Sequence, residues 1–128
     1  MHPFRKAIEA RDMEAMEALF ADNAVLTSPV SYQPYPGKPL AAAIIRGVAR
    51  VFEDFRYVKE IADGRDHVLV FRARVGDKEV HGCDIIHDDD NGLIDDITVM
   101  VRPLSGAMAL AEAMRAQFDR IQQEAQAG

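Results

Sequence analysis

The stretch whose reading decides the fold is VLVFRARVGDKEVHGCDIIHDDDNGLIDDITVMVR, residues 68–102. Its segments VLVFRARV, EVHGCDIIH and LIDDITVMVR have the period of strands with one covered face. Gly76-Asp77 and Asn91-Gly92 separate them, and both dipeptides suit tight hairpins because they tolerate a left-handed backbone. The stretch therefore predicts an antiparallel meander. Even-numbered loops place Arg74 opposite Glu79, Ala73 opposite Val80, Phe71 opposite Gly82 and Leu69 opposite Asp84. One face then collects Leu69, Phe71, Ala73, Val80, Gly82, Ile86, Ile97, Val99 and Val101, with a single carboxylate, Asp84, among them. The other carries Val68, Val70, Arg72, Arg74, His81, Cys83, Ile85, Thr98, Met100 and Arg102. A slip of one residue would exchange the faces.

Upstream of the meander the period is helical. Phe4, Ile8, Met13, Met16, Leu19 and Phe20 supply an apolar face, with a break at Ala10-Arg11-Asp12 where Asp12 can cap a second segment. Ala24–Thr27 reads as a short strand ended by Pro29. The segment SPVSYQPYPGKP holds four of the six prolines and is expected to be irregular. A long helix starts at Pro39, with Leu40, Ile44, Val48, Val51, Phe52 and Phe55 as its buried stripe. Past Pro103, Ser105 is placed to cap a last helix presenting Met108, Ala111, Met114, Phe118 and Ile121. Helices first, then a meander, then a helix give an α+β class.

Composition narrows the function. The 128 residues suffice for one hydrophobic core, and no apolar run approaches the ~20 residues of a membrane span. The net charge is −6 with scattered basic residues, which argues against nucleic acid as a partner. No GxGxxG, P-loop, HExxH or CxxC motif is present, so no cofactor is expected. The N-terminal MHPFRKAIEARD lacks the apolar core of a secretion signal, and one cysteine excludes an internal disulfide; a cytoplasmic location is the expectation.

Residues 80–100 hold two histidines, a cysteine and six aspartates, which raises the question of a metal. An EF-hand loop with Gly92 at its sixth place would begin at His87 and end at Thr98, and neither fits. His81 and His87 would lie ~20 Å apart along one strand, and Asp84 points to the opposite face. The aspartate run reads as a polar hairpin turn, and no metal is expected. Asp84 itself is the interesting residue. A carboxylate on an apolar face must be neutral, hydrogen-bonded or beside water. His67 is its nearest titratable neighbour by register, one diagonal step away. Asp84 can cap a buried group, line a ligand cavity, or act as a catalytic acid, base or hydrogen-bond donor.

LFADNAVLTSP after two short helices, a proline-glycine loop, a long helix and IIHDDDNGLIDDITVMVRP together resemble the nuclear transport factor 2-like superfamily, in its SnoaL-like branch related to ketosteroid isomerase. The resemblance covers nearly all of residues 1–128, taken as a single domain. It implies a cone: a curved antiparallel sheet around the long helix, enclosing a deep apolar pocket, with dimers formed through the outer sheet face. Val68, Val70, Cys83, Ile85 and Met100 would then be the homodimer patch. Of the ketosteroid isomerase roles, the general base before a proline falls on Ser28 and the first-helix oxyanion tyrosine on Phe4. Both are therefore missing, and only the protonated aspartic acid is matched, by Asp84. The Asp–Arg–Asp set of limonene epoxide hydrolase is not matched either, because its Arg-x-Asp element aligns with Arg72-Ala73-Arg74 and its second aspartate with Val99.

Three functions follow as expectations. The first is a binding protein for a hydrophobic steroid-, terpenoid- or polyketide-like molecule, with Ser28, Tyr32, Phe52, Phe55, Leu69, Phe71, Ile86, Ile97 and Val99 lining the cavity and Asp84 as anchor. The second is a cofactor-independent isomerase, cyclase or dehydratase using Asp84, with His67 as its candidate partner. The third is a ligand-free dimeric interaction module. Tyr32 and Tyr35 are expected at a flexible rim.

Overall fold

Two short helices open the chain in the computed structural model, which describes residues 1–127. α1 (Pro3–Glu9) and α2 (Met13–Ala18) break where expected, with the Asp12 carboxylate accepting the Ala15 N–H at 3.0 Å. Arg11 turns the corner with φ 55°, a conformation uncommon outside glycine and asparagine. β1 (Phe20–Thr27), β2 (Tyr35–Pro36), α3 (Lys38–Val51), β3 (Glu53–Asp63), β4 (Asp66–Val75), β5 (Lys78–Asp88), β6 (Ile94–Arg102), α4 (Leu104–Arg115) and α5 (Phe118–Ala127) follow.

The strands make one curved, unclosed sheet in the order β2-β1-β6-β5-β4-β3. The meander has the predicted register: Leu69 pairs with Asp84, Phe71 with Gly82, and Asp84 in turn with Val99. Val75 pairs with Lys78, so Gly76-Asp77 is a two-residue loop. The second hairpin is looser, because a bulge at His87/Asp88 precedes a longer turn. That bulge lies beyond Ile86↔Ile97, so it leaves the facing of Asp84 intact. Asp89 organises the turn, accepting the Asn91 and Leu93 N–H groups at 2.8 and 3.0 Å.

Five expectations are corrected. The long helix stops at Val51, where Phe52 turns extended, and Phe55 lies on β3. Phe52 and Phe55 nonetheless stack together, with centroids 5.7 Å apart, because Asp54 at φ 53° and a bulge between Glu53 and Arg56 break strand alternation there. That irregularity imitates helical spacing, and it conceals an eleven-residue strand. The sheet is also not purely antiparallel: β1 starts at Phe20 and runs parallel to β6. The proline-rich segment contains a two-residue bridge, Tyr35–Pro36, on β1. The last helix is two, broken at Ala116-Gln117; Met108 and Phe118 are exposed while Leu110 and Ile121 are buried. Ser105 lies inside α4 and caps nothing, since Pro103 holds the cap position.

The core fills the space between the concave sheet face and the helices. α3 contributes Ala41 to Ile45, all buried, and the small residues at its start permit close contact. Gly47 allows α5 to approach: a Cβ there would lie 2.8 Å from Ile121 Cδ1. Among the described residues no helix is long and apolar enough to cross a membrane.

Candidate functional site

Sheet and helices do not meet everywhere. They leave a cavity of about 650 Å³, lined from the sheet by Leu26, Phe71, Asp84, Ile97 and Val99, and from α3 by Ile44, Ile45, Val48 and Ala49. Phe4, Ile8 and Met13 from the first two helices, Phe52, Phe55 and Tyr57 around β3, and Leu110 of α4 complete an apolar and aromatic wall. Phe55 is the hub of the aromatic group, 5.0 Å from the Phe71 centroid and 4.9 Å from that of Tyr57.

Asp84 is 6% exposed and reaches this hollow from the middle of β5. Among the described residues Tyr57 is the only hydrogen-bond partner of its carboxyl group, and the phenol donates to Oδ2 at 2.8 Å. Burial pushes the Asp84 carboxyl up to about 7, partly opposed by that hydrogen bond. Tyr57 is itself held above the usual phenol range, chiefly by burial and then by the neighbouring Asp84 charge. The Arg5 guanidinium lies over its ring, 5.8 Å from the centroid. Near neutral pH this is a carboxyl group balanced between its acid and its anion, with one oxygen committed to a phenol. It can therefore donate or accept a hydrogen bond toward a guest.

Of the expected lining residues, Ser28, Phe52, Phe55, Phe71, Ile97 and Val99 face the cavity. Leu69 and Ile86 are fully buried and pack beneath the wall without reaching the hollow. Tyr32 is 95% exposed and stands away from it. The Ser28 hydroxyl accepts the Val30 N–H at 3.1 Å and shapes the turn before Pro29. Tyr57 is absent from the expected lining, because the bulges of β3 mask the strand that carries it. Its signal was the alternation Phe55, Tyr57 against Asp54, Arg56 and Val58.

His67 does not partner Asp84. It shares the concave face, but its Nε2 lies 3.1 Å from Asp88 Oδ2, and the His2 Nε2 reaches the same carboxylate at 3.0 Å. The rings of His2 and His67 meet edge-on, 4.5 Å apart. Two histidines and an aspartate so close suggest a metal, but the tautomers oppose it. His2 Nδ1 accepts the Phe4 N–H at 3.0 Å, so the ring proton sits on Nε2 and is donated to Asp88. A metal at Nε2 would need that proton moved to Nδ1, against a backbone donor. The cluster ties the N-terminus to β5, reinforced by the His2 N–H donating to Glu60 at 2.9 Å.

The cavity opens to solvent between α1, α3 and α5, where its lining turns polar with Glu9, Arg11, Arg46, Arg50 and Arg120. Arg46 pairs with Glu17, Arg50 with Glu124 at 2.8 Å, and Glu9 with Arg5 at 3.2 Å.

The SnoaL-like domain matches residues 2–97. The chain belongs to the SnoaL-like family. A steroid delta-isomerase from Pseudomonas aeruginosa is 42% identical, with a TM-score of 0.88 over 94% of this chain and 89% of that one. A protein with a cystatin-like fold from Silicibacter pomeroyi is 30% identical, with a TM-score of 0.86 over 97% and 95%. An NTF2-like protein from Cytophaga hutchinsonii, 18% identical with a TM-score of 0.63 over 79% and 85%, shares the fold alone. No functionally curated protein matches this SnoaL-like chain in sequence.

Proposed function

We propose that this SnoaL-like protein binds an apolar small molecule of steroid-, terpenoid- or polyketide-like size in the cavity, with Asp84 as its polar anchor. The observation that carries the reading is a hollow of about 650 Å³, walled by aliphatic and aromatic side chains, with one buried carboxyl group at its inner end. That volume falls in the range of ~300–1,000 Å³ typical of ligand sites, as does the ratio of many apolar groups to few polar ones. Thermal-shift titration with neutral steroids, terpenoids and polyketides tests it. The protein should be stabilised by one of these classes, and Val99→Trp, which fills the hollow, should abolish the shift. A shift that survives Val99→Trp, or none in any class, would overturn the reading.

A second reading is a cofactor-independent isomerase or cyclase in which Asp84 gives a proton or hydrogen bond to a developing oxyanion. It is favoured by the raised Asp84 carboxyl and by the 42% identity to the Pseudomonas aeruginosa steroid delta-isomerase. Ser28, where that chemistry would want a carboxylate base, has only a hydroxyl; Glu9 is the other carboxylate lining the cavity, and it is engaged by Arg5. Turnover of a Δ5-3-ketosteroid that collapses in Asp84→Asn would favour this reading, and binding without turnover the first. We also propose a homodimer through the outer sheet face, where Val68, Val70, Cys83 and Ile85 are half-buried and Met100 is exposed.

A further inference from the structure

The mouth of the cavity differs in charge from the rest of the molecule. Four arginines line it from three separate places: Arg11 from the corner between α1 and α2, Arg46 and Arg50 one turn apart on α3, and Arg120 from α5. Glu17 and Glu124 answer two of them, and Glu9 shares Arg5 with Glu60, which leaves Arg11 and Arg120 without a carboxylate of their own at the opening. Among the described residues the Arg11 guanidinium forms no hydrogen bond or ion pair, and Arg120 only shares Glu124 with Arg50, at 3.9 Å. This surplus stands in a chain whose net charge is −6. Cations that merely solubilise a surface have no reason to converge on one hollow against the sign of the whole molecule. A low-dielectric opening lined by one sign of charge concentrates ions of the other.

Resting on the binding function proposed above, we infer that the ligand is an amphipathic anion: an apolar ring system or chain whose outer end carries a carboxylate or sulfonate-like group held by Arg11 and Arg120. Its inner end meets Asp84 and Tyr57, which suits a neutral oxygen function such as a carbonyl or hydroxyl. Arg46 and Arg50, fixed by their glutamates, frame the opening while the two freer arginines close on the anion. Guanidinium groups favour carboxylate and sulfonate because their paired donors match two oxygens at once.

Two fluorescent probes of nearly the same shape separate the charge from the apolar body: anionic 8-anilinonaphthalene-1-sulfonate and neutral N-phenyl-1-naphthylamine. The sulfonate should bind about tenfold more tightly at low salt, which corresponds to ~1.4 kcal/mol. Its advantage should shrink as the screening length falls from ~10 Å at 0.1 M to ~3 Å at 1 M salt. In the doubly substituted Arg11→Asn, Arg120→Gln protein the ratio of the two affinities should fall toward one. Asparagine is chosen because it accepts the left-handed backbone at position 11. Ala49→Trp, which blocks the hollow, should abolish binding of both probes. Equal affinities, or a ratio unchanged by the arginine substitutions, would overturn the inference and leave the apolar binding site standing. Failure of both probes to bind would remove the binding function itself. Sulfonate binding that persists in Ala49→Trp would place the probe elsewhere and also overturn the inference.

Discussion

Asp84→Asn should make the protein more stable at pH 8 and leave it nearly unchanged at pH 4. The carboxyl is pushed up to about 7 in the folded chain, against 3.8 ordinarily. The folded state therefore holds a proton more tightly than the unfolded state across the interval between those values. Stability that depends on this group is fully present below the unfolded value and is lost as pH rises through about 7, the reverse of a salt-bridged aspartate. A difference of about three pH units at ~1.4 kcal/mol each sets a ceiling of roughly 4 kcal/mol. Water admitted through the cavity lowers the real figure, so ~2–4 kcal/mol is expected, a large part of a typical ~5–15 kcal/mol domain stability. Asparagine keeps the shape and can still accept from the Tyr57 hydroxyl, but it cannot ionise. Urea unfolding of both proteins from pH 4 to pH 8.5 isolates the effect, because every other titrating group cancels in the difference. The curves should meet near pH 4, separate steadily up to about 7 and keep a constant gap above it. Parallel curves would mean that the carboxyl ionises alike in both states, and the account of a charge-averse anchor would be refuted.

Other substitutions probe neighbouring links. Tyr57→Phe removes the hydrogen bond that favours the ionised carboxyl, so the Asp84 titration followed by carboxyl-carbon NMR should move upward; a downward move would reverse the assigned role of the phenol. Gly82→Ala sets a Cβ 2.3 Å from the Met100 carbonyl oxygen and 2.6 Å from Phe71 Cζ, so a loss of ~1–3 kcal/mol in urea unfolding is expected, and a neutral result would contradict the packing there. Ile85→Arg buries no charge within one chain, yet it should halve the mass seen by sedimentation if the outer sheet face joins two copies; an unchanged mass would reject that interface.

What the sequence made legible, and what it concealed, follows from how local each signal was. The hairpin dipeptides fixed the β4–β5–β6 register, and with it the inward aim of Asp84, because a turn and its flanking alternation lie within a dozen residues. The break at Asp12 was equally local, one side chain closing one helix end. β3 was lost because two irregularities, at Glu53/Arg56 and Tyr57/Lys59, interrupt the alternation that marks a strand, and Phe52 and Phe55 happen to extend a helical stripe. Tyr57 went with it. The partnership of His67 with Asp88 and His2 was invisible for another reason: it depends on where an N-terminal helix docks against the far end of the sheet, a contact spanning 86 residues between His2 and Asp88. The parallel pairing of β1 with β6 is long-range in the same sense.

The cationic mouth belongs with these long-range features, and it gives the anchor its meaning. A lone carboxyl in an apolar hollow is ambiguous between an acid that must stay neutral for the fold and one positioned for a guest. If the first were the whole account, asparagine or leucine at position 84 would only add stability, by the same few kcal/mol that Asp84→Asn is expected to gain. A destabilising carboxyl, set in a 650 Å³ hollow that four arginines also line, fits a use for a guest better than a purely structural role. The stability gain and the affinity loss should therefore appear together in Asp84→Asn: a protein harder to unfold at pH 8 and weaker for a ligand whose oxygen meets position 84. A variant that gains stability while binding such a ligand as well as before would reduce Asp84 to an accident of the core.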